Sequence, residues 1–343
     1  MQLSDFDYQL KKELIALQPL EKRDNARMLV HHNNEFLDDI VLNLDKYLNK
    51  NDLIVFNDTK VIAAKLDVLK NHSRIKIYFN EQIDASHWYA FAKPAKKLSV
   101  GDMFKIADDF SLEVIEKECS EYRIKNKVNA NDDLFELLEK YGDAPLPPYI
   151  EKFHNATAQD KKSYQSVFAK NWGSVAAPTA SLHFTDSLLK KISDKGVKSC
   201  FVTLHVGSGT FLPISEENID NHKMHSEYCT ISKEVADLVN HTKSNGGKVL
   251  AVGSTALRTL ESAADDSGAI KTFSGKTDIF IKPGYNFKVV DMLLTNFHLP
   301  KSTLLVLVAA FIGYNNMKEL YRHAIEKEYR FFSYGDSCLL NRC

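Results

Sequence analysis

No stretch of this sequence is long and apolar enough to cross a bilayer. The longest such run, Leu304–Ile312, has nine residues, against the ~20 that a spanning helix needs, so no membrane association is expected. A secretory signal is also missing, because MQLSDFDYQLKKEL places Asp5 and Asp7 where an unbroken apolar core is required; a cytoplasmic protein is expected. Cysteine is scarce and scattered. Cys119, Cys200, Cys229, Cys338 and Cys343 form no CxxC and no even set, which suits a reducing compartment and excludes a disulfide framework. Excess charge of one sign is absent: 44 basic against 45 acidic side chains leave a formal net charge of −1. Any polyanion must therefore meet a local basic patch rather than a global field. There are no repeats, low-complexity tracts or heptads. No HExxH and no Cys/His set occurs, and the HxxH of His222 and His225 has no glutamate between its histidines, so no metal is expected.

What is present is enough apolar material for a large core. At 343 residues, 44% hydrophobic and 26% charged, the chain suits two domains. Arg27–His31 and Asp52–Phe56 read as strands, with a short helix over Leu42–Leu48 between them. From Leu66 to Lys127 the pattern becomes short alternating segments, LDVLK, RIKIYF, HWYAFA, MFKIA, SLEVIE and EYRIKN. These predict a small antiparallel barrel. A helix over Asp132–Tyr141 and the stiff Ala144-Pro145-Leu146-Pro147-Pro148 follow, and the prolines mark a return to the main domain. Thr185 and Ser232 are placed to cap helices that lead into strands from Val197 and over Val249–Val252. The expected fold is α/β: a mixed-sheet main domain from 1–65 and 144–343, with the barrel inserted at 66–143.

Polar groups cluster where strands end. Phe201–Leu212 (FVTLHVGSGTFL) is a strand that breaks into Gly207-Ser208-Gly209-Thr210, leaving backbone N–H groups for a ligand or making only a tight exit. It is not a dinucleotide fingerprint, since Pro213 follows directly. Asn57-Asp58-Thr59-Lys60 after the 52–56 strand is either a ligand-facing turn or a self-contained Asx turn. In Lys248–Ser262 the chain turns at Gly253 into a helix expected to be capped by Ser254. There Arg258 and Glu261 share a face, as an exposed ion pair or as a clamp for a substrate carboxylate. His183, His205, His222, His225, His298 and His323 all lie in or beside polar segments, and a histidine near Glu227 suits acid–base work. Lys93, Lys96 and Lys97 are a solvated surface or part of an RNA-facing patch.

Taken together, the segments resemble the S-adenosylmethionine:tRNA ribosyltransferase-isomerase family of queuosine biosynthesis. The likeness rests on VFNDTKVIA (55–63), LPPYI (146–150), GSVAAPTASLHFT (173–185), VTLHVGSGTFLP (202–213), MHSEY (224–228), Val252–Ser262, FIKPGYNF (280–287), LTNFHLPKSTLLVLV (294–308) and YRFFSYGD (329–336). Asp5–Ile15 and Arg23–Val30 also match, so the stretches run nearly end to end in family order. Departures are Lys11, Ala63-Ala64-Lys65, Ser181 and Ser337-Cys338; Ser181 stands where the family usually has glycine.

The resemblance implies a transferase that consumes S-adenosylmethionine as a ribosyl donor. The acceptor it implies is 7-aminomethyl-7-deazaguanine at the wobble position of a tRNA, and the products are epoxyqueuosine, adenine and methionine. Such chemistry needs a base near the sulfonium, a proton donor to adenine and a group that keeps the attacking amine neutral. His183, His225 and Glu227 are the candidates for proton transfer and Asp336 for the amine. Gly207, Ser208, Gly209 and Thr210 would cradle the donor, and Arg258 would pair with its carboxylate. Asn57, Asp58, Thr59, Lys60, His205, Glu261, His298 and Tyr334 are further candidate substrate contacts. Tyr329, Phe331, Phe332 and Tyr334 would stack on an extruded base or form a buried aromatic cluster. The expected partners are the tRNA and S-adenosylmethionine, met by a monomer.

Overall fold

The computed structural model of the chain describes residues 1–343 except 33–34, 85, 119–120, 129–132, 152–156, 208, 210–213 and 215. Strands of unbroken apolar content belong at the centre of a sheet covered on both faces. Leu53–Asn57 (LIVFN), Val249–Val252 (VLAV) and Met292–Asn296 (MLLTN) are buried along their whole length and run parallel as neighbours. Among the described residues they are part of a nine-stranded sheet. Its order is Phe273–Thr277, Glu227–Ile231, Lys198–Leu204, Leu53–Asn57, Val249–Val252, Met292–Asn296, Ser337–Asn341, Arg27–His32, Glu35–Ile40. Lys198–Leu204 is also parallel to Leu53–Asn57, and Ser337–Asn341 to Arg27–His32; the remaining pairings are antiparallel. This is the mixed sheet expected for the main domain.

Side chains along a strand alternate between faces, and the sheet builds a core on each. Leu53, Val55 and Ala251 pack with Leu257 and Leu260 of the helix Gly253–Ala263 and with the helix Thr303–Ile312. Ile54, Phe56 and Leu250 pack the other way, onto Leu188 and Ile192 of the helix Asp186–Asp194. Full burial of each such side chain stabilises by about 1.5–3 kcal/mol. The apolar run at 304–312 forms the buried helix Thr303–Ile312, capped by Ser302 Oγ, which accepts the Leu305 N–H at 3.2 Å. No helix of the described residues is long and apolar enough to cross a membrane.

The Thr185 and Ser232 caps form as the sequence predicts, each hydroxyl accepting the N–H three residues on. The Ser254 cap does not. The helix begins one residue earlier, at Gly253, whose φ of +88° turns the chain out of the strand, so Ser254 already lies inside the first turn.

The second sheet has six antiparallel strands, Lys65–Lys70, Ser73–Asp84, His87–Lys93, Met103–Lys105, Phe110–Glu118 and Glu121–Val128. It curls around Phe79, Trp88, Phe110 and Tyr122. Lys70 on one edge strand reaches Asp102, beside the other edge strand, at 2.6 Å, so the sheet is nearly closed into a barrel. The helix Leu134–Tyr141, capped by Asp133, adds Leu134, Leu137 and Leu138 to that core. The first barrel strand starts at Lys65, one residue before the expected boundary. There the chain's entry and exit are joined: the Lys65 N–H donates to the Asp143 carbonyl at 3.3 Å and the Asp143 N–H to the Lys65 carbonyl at 2.8 Å. The buried Lys65 ammonium pairs with Glu151 at 3.3 Å.

Candidate functional site

Parallel strands carry their carboxyl ends to one edge, where α/β sheets hold ligands. Here Asn57, Leu204, Val252 and Asn296 end their strands at that edge, and Ser337 and Met28 come to it through the pairs Asn296–Ser337 and Met28–Ser337. The antiparallel pair Leu204–Cys229 brings Glu227 to the same edge.

At one end of it stands a buried ion pair. Arg258 donates from Nη1 to Oε2 of Glu227, and Oε1 of the same carboxylate accepts the Gly207 N–H at 3.2 Å. Arg258 also donates from Nε to the Ile279 carbonyl at 3.3 Å, while its buried Nη2 has no hydrogen-bond partner among the described residues. Both side chains are buried. The expectation of an exposed pair between Arg258 and Glu261 needs correction, because Arg258 is buried and its charge is answered by Glu227. Glu261 is likewise buried, and its oxygens accept the N–H groups of Lys288, Val289 and Val290 and the Tyr285 hydroxyl. With four donors on one carboxylate, Glu261 anchors the 285–290 segment and has no capacity left for substrate.

Gly209 lies against the exposed His225, and a Cβ on it would fall 2.5 Å from the ring. Only glycine allows that approach. Ser208 and Thr210 lie outside the described residues. The barrel reaches this turn through Asn80, whose Oδ1 would be 3.7 Å from a Cβ at Gly207, and it reaches the strand Phe273–Thr277 through the ion pair of Glu81 with Lys276.

The polar residues Asn57 to Lys60, which begin with the last residue of the 53–57 strand, turn inward. Asn57 accepts the Leu204 N–H at 3.0 Å, donates to the Leu204 carbonyl at 2.9 Å and accepts the Thr59 N–H at 3.1 Å. The last of these is the Asx bond, but Thr59–Val61 then continues as a strand beside Asn171–Ser174 rather than as a loop. Asp58 accepts from Thr203 Oγ1 at 2.7 Å and from Asn171 Nδ2 at 3.0 Å. Lys60 lies over the Trp172 ring at 3.6 Å, a cation–π contact. Asn57 and Asp58, expected to contact substrate, thus bind the ends of neighbouring strands together. Thr59 Oγ1 is 2.8 Å from His205 Nδ1, and burial pushes the His205 pKa down, so the ring is neutral near pH 7. Gly173 leaves room for that ring, since a Cβ there would come within 2.9 Å of it.

His183 ends the short turn Thr179–His183, which lies over the edge, with Ala180 3.6 Å from the Cβ position of Gly253. Asn296 Oδ1 accepts from Thr179 Oγ1 at 3.0 Å, which leaves its amide nitrogen to donate to His183 Nε2 at 3.3 Å. Burial pushes the His183 pKa down to about 4, so the ring is a neutral imidazole near pH 7. Ser181 is accommodated in the turn, its N–H donating to the Pro178 carbonyl at 2.9 Å.

Asp336 is buried and accepts from the Arg27 N–H at 3.0 Å, Arg27 Nε at 3.3 Å and the Arg330 N–H at 2.8 Å. Expected to act on an amine, it is here the clasp of the 330–336 turn. Within that turn Phe332 holds φ at +78° and Gly335 has no space for a Cβ, 2.5 Å from the Arg330 carbonyl. A non-glycine residue held there costs about 1–3 kcal/mol, a strain that clusters at functional sites. Tyr334 meets Tyr164 edge-on at 6.0 Å. Tyr329 and Phe331 are fully buried around Phe297, at 5.4 and 5.2 Å, so these two belong to an aromatic core. His298 is corrected in the same way. Its Nε2 is 3.0 Å from Thr295 Oγ1, its N–H donates to Tyr321, its carbonyl accepts from Tyr8, and burial pushes its pKa down to about 3.

Asn296, Thr179, Tyr149 and Arg330 were not singled out from sequence, although each stands inside one of the resembling stretches. The available signal was position: Asn296 ends an apolar strand, and Arg330 precedes a turn closed by Gly335 and Asp336.

A family model described as queuosine biosynthesis protein matches residues 3–340. A protein of Rickettsia bellii named S-adenosylmethionine:tRNA ribosyltransferase-isomerase is 48% identical over 100% of this chain and 99% of its own. One of Zymomonas mobilis with the same name is 47% identical over 99% of each chain. The crystal structure of S-adenosylmethionine tRNA ribosyltransferase from Thermotoga maritima is similar at a TM-score of 0.56 and 32% identity, covering 98% of this chain and 99% of that one. Matched from end to end by sequence and by fold, the chain belongs to the S-adenosylmethionine:tRNA ribosyltransferase-isomerase family of queuosine biosynthesis.

Proposed function

We propose that this enzyme transfers the ribosyl part of S-adenosylmethionine to 7-aminomethyl-7-deazaguanine in a tRNA anticodon. The transferred group is isomerised to the epoxycyclopentane of epoxyqueuosine, and adenine and methionine leave. A single observation carries the reading: proton-accepting groups of different strength stand along one sheet edge, Glu227 held by Arg258 and Gly207 at one end and the neutral His183 on Asn296 further along. Removing a proton beside a sulfonium calls for a base that is unprotonated at neutral pH, and a buried neutral imidazole supplies one. The Glu227–Arg258 pair has its charges balanced, which suits uncharged ribose hydroxyls: the carboxylate accepts and Arg258 Nη2 donates. His225, exposed beside Gly209, would give a proton to departing adenine. Tyr334, Lys60 and His205 are further candidates for substrate contact.

The tRNA side rests on the barrel. Lys93, Lys96 and Lys97 are exposed on it, a local basic group on a chain of net charge −1, and Asn80 brings the barrel beside the Gly207 turn. The test is identification of products. Incubation with S-adenosylmethionine and precursor tRNA should release adenine and methionine in equal amounts. Release of S-adenosylhomocysteine would instead make the chain a methyltransferase, and no cofactor consumption at all would leave an RNA-binding protein.

A further inference from the structure

An exposed phenylalanine is ordinary by itself, but Phe201 stands at the mouth of a cleft with a particular lining. The strand Lys198–Leu204 pairs with Glu227–Ile231 at Thr203–Thr230 and Leu204–Cys229. Past Ile231 the chain turns away into the helix Lys233–Ser244. The flank of the strand at Phe201 therefore opens, beside the helix Asp186–Asp194, into a cleft of about 640 Å³. Phe201 is 41% exposed there. Phe168 lies against it with ring centres 5.4 Å apart, and the buried Phe56 is 4.2 Å from Phe168 and 5.8 Å from Phe201. The three rings form one ledge. Among the described residues no acidic side chain lines the cleft, whereas Lys190 and Lys198 do. Lys190 is paired with Asp194 at 3.0 Å. Lys198, and Lys170 two residues on from Phe168, are exposed and have no ion pair among the described residues.

We propose that this ledge is a subsite for one unstacked nucleotide of the tRNA, with its base laid on Phe201 and Phe168 and its phosphate met by Lys198. This rests on the proposed reaction, which brings an opened anticodon to the sheet edge. Phe201 stands three residues, about 10 Å, before Leu204 at that edge. The segment that supplies Phe168 continues through Lys170 to Trp172, which is stacked at 6.1 Å on Phe135 of the barrel's helix and lies under Lys60. The ledge is thus joined both to the edge that holds the donor and to the barrel. An aromatic face takes any base, because every base has a π-face, and RNA brings a phosphate with each one, so ring and cation side by side match it. An apolar protein segment would instead cover Lys198 without answering its charge, which costs stability.

The test is binding of an anticodon stem–loop RNA that carries the precursor base, measured by fluorescence anisotropy for the whole protein and for Phe201→Leu, Phe201→Trp and Lys198→Glu. Leucine keeps apolar bulk and removes the ring, so affinity should fall roughly tenfold, whereas tryptophan should hold or tighten it. Lys198→Glu should weaken binding and make the log–log salt slope shallower by about 0.7 for one lost phosphate contact. Affinity for S-adenosylmethionine should stay within about twofold in all three variants. Abasic substitution at each nucleotide beside the wobble position in turn then finds the stacked base. At one position the abasic RNA should bind the unaltered protein about tenfold more weakly, and Phe201→Leu should cost nothing further. If Phe201→Leu binds the intact RNA within about twofold of the unaltered protein, or loses as much affinity for every abasic RNA as for the intact one, the subsite is overturned. A lowered melting temperature with an equal loss of S-adenosylmethionine affinity would assign Phe201 to the fold and overturn it as well. Each of these results leaves the release of adenine and methionine by the unaltered enzyme, and so the reaction, untouched. If the unaltered enzyme bound the RNA but released neither product, the reaction would fail and the ledge would be judged on binding alone.

Discussion

Arg258 donates to Glu227 across 31 residues of sequence, with the two side chains 8% and 6% exposed. Removing one partner of a buried pair strands the other charge, which costs about 3–5 kcal/mol, whereas an exposed pair contributes under about 1. Arg258→Ala should therefore lower stability by several kcal/mol in urea unfolding. Replacing both residues by uncharged ones of similar size should restore most of the loss. A single-variant cost near zero would return Arg258 to the status of a surface residue.

His183 should make the protein acid-labile well above the range of carboxylates. Its folded pKa of about 4 lies below the ordinary 6.5 of the unfolded chain, so the unfolded state binds more protons between those values. Stability is then fully present above about pH 6.5 and is lost as pH falls toward 4, by about 3 kcal/mol from this group at 1.36 kcal/mol per unit. Urea midpoints measured across that range should fall steadily, and less steeply in His183→Asn. An identical pH dependence in the variant would assign the lability elsewhere.

Gly209 tests the role of His225. Alanine there would push the imidazole aside, since its Cβ would stand 2.5 Å from the ring. If His225 transfers a proton, Gly209→Ala should slow turnover by about tenfold or more, and His225→Ala by about a hundredfold. The ring is exposed and free to swing, so folding stability should change by less than about 1 kcal/mol. Near-normal turnover in both variants would remove His225 from the mechanism.

Charge reversal at Lys93, Lys96 and Lys97 should weaken tRNA binding without altering affinity for S-adenosylmethionine. For roughly 4–6 phosphate contacts a log–log salt slope of about −3 to −5 is expected for the unaltered enzyme, with a shallower slope after reversal. A tRNA affinity indifferent to salt, or to the triple reversal, would move the RNA contact to the main sheet.

Local chemistry was readable ahead of the structure where it acts over a few residues. The Thr185 and Ser232 caps and the six barrel strands needed only hydroxyl placement and a period of two. Partner choice across the chain was not. Arg258 and Glu261 share a helix face, yet Arg258 turns to Glu227 and Glu261 to the backbone of Lys288–Val290, because burial selects partners from other elements. Thr59 reads as a turn residue, and only the distant Asn171–Ser174 segment makes it a strand.

The reciprocal hydrogen bonds between Lys65 and Asp143 make the barrel a cassette. Where a chain leaves and re-enters a body at adjacent points, the intervening segment can be exchanged for a tight turn or for another module without closing a new long loop, and closure entropy changes only with the logarithm of length. Among the described residues of the main body, Ile62, Ala64, Val175 and the half-buried Trp172 pack into the barrel's core. A chain in which a short turn replaces residues 66–142 should therefore keep its nine-stranded sheet, and with it the sites of the small-molecule donor, while losing the barrel's share of the RNA. Donor chemistry and acceptor recognition would then be separable by a single excision, and each module open to change without the other.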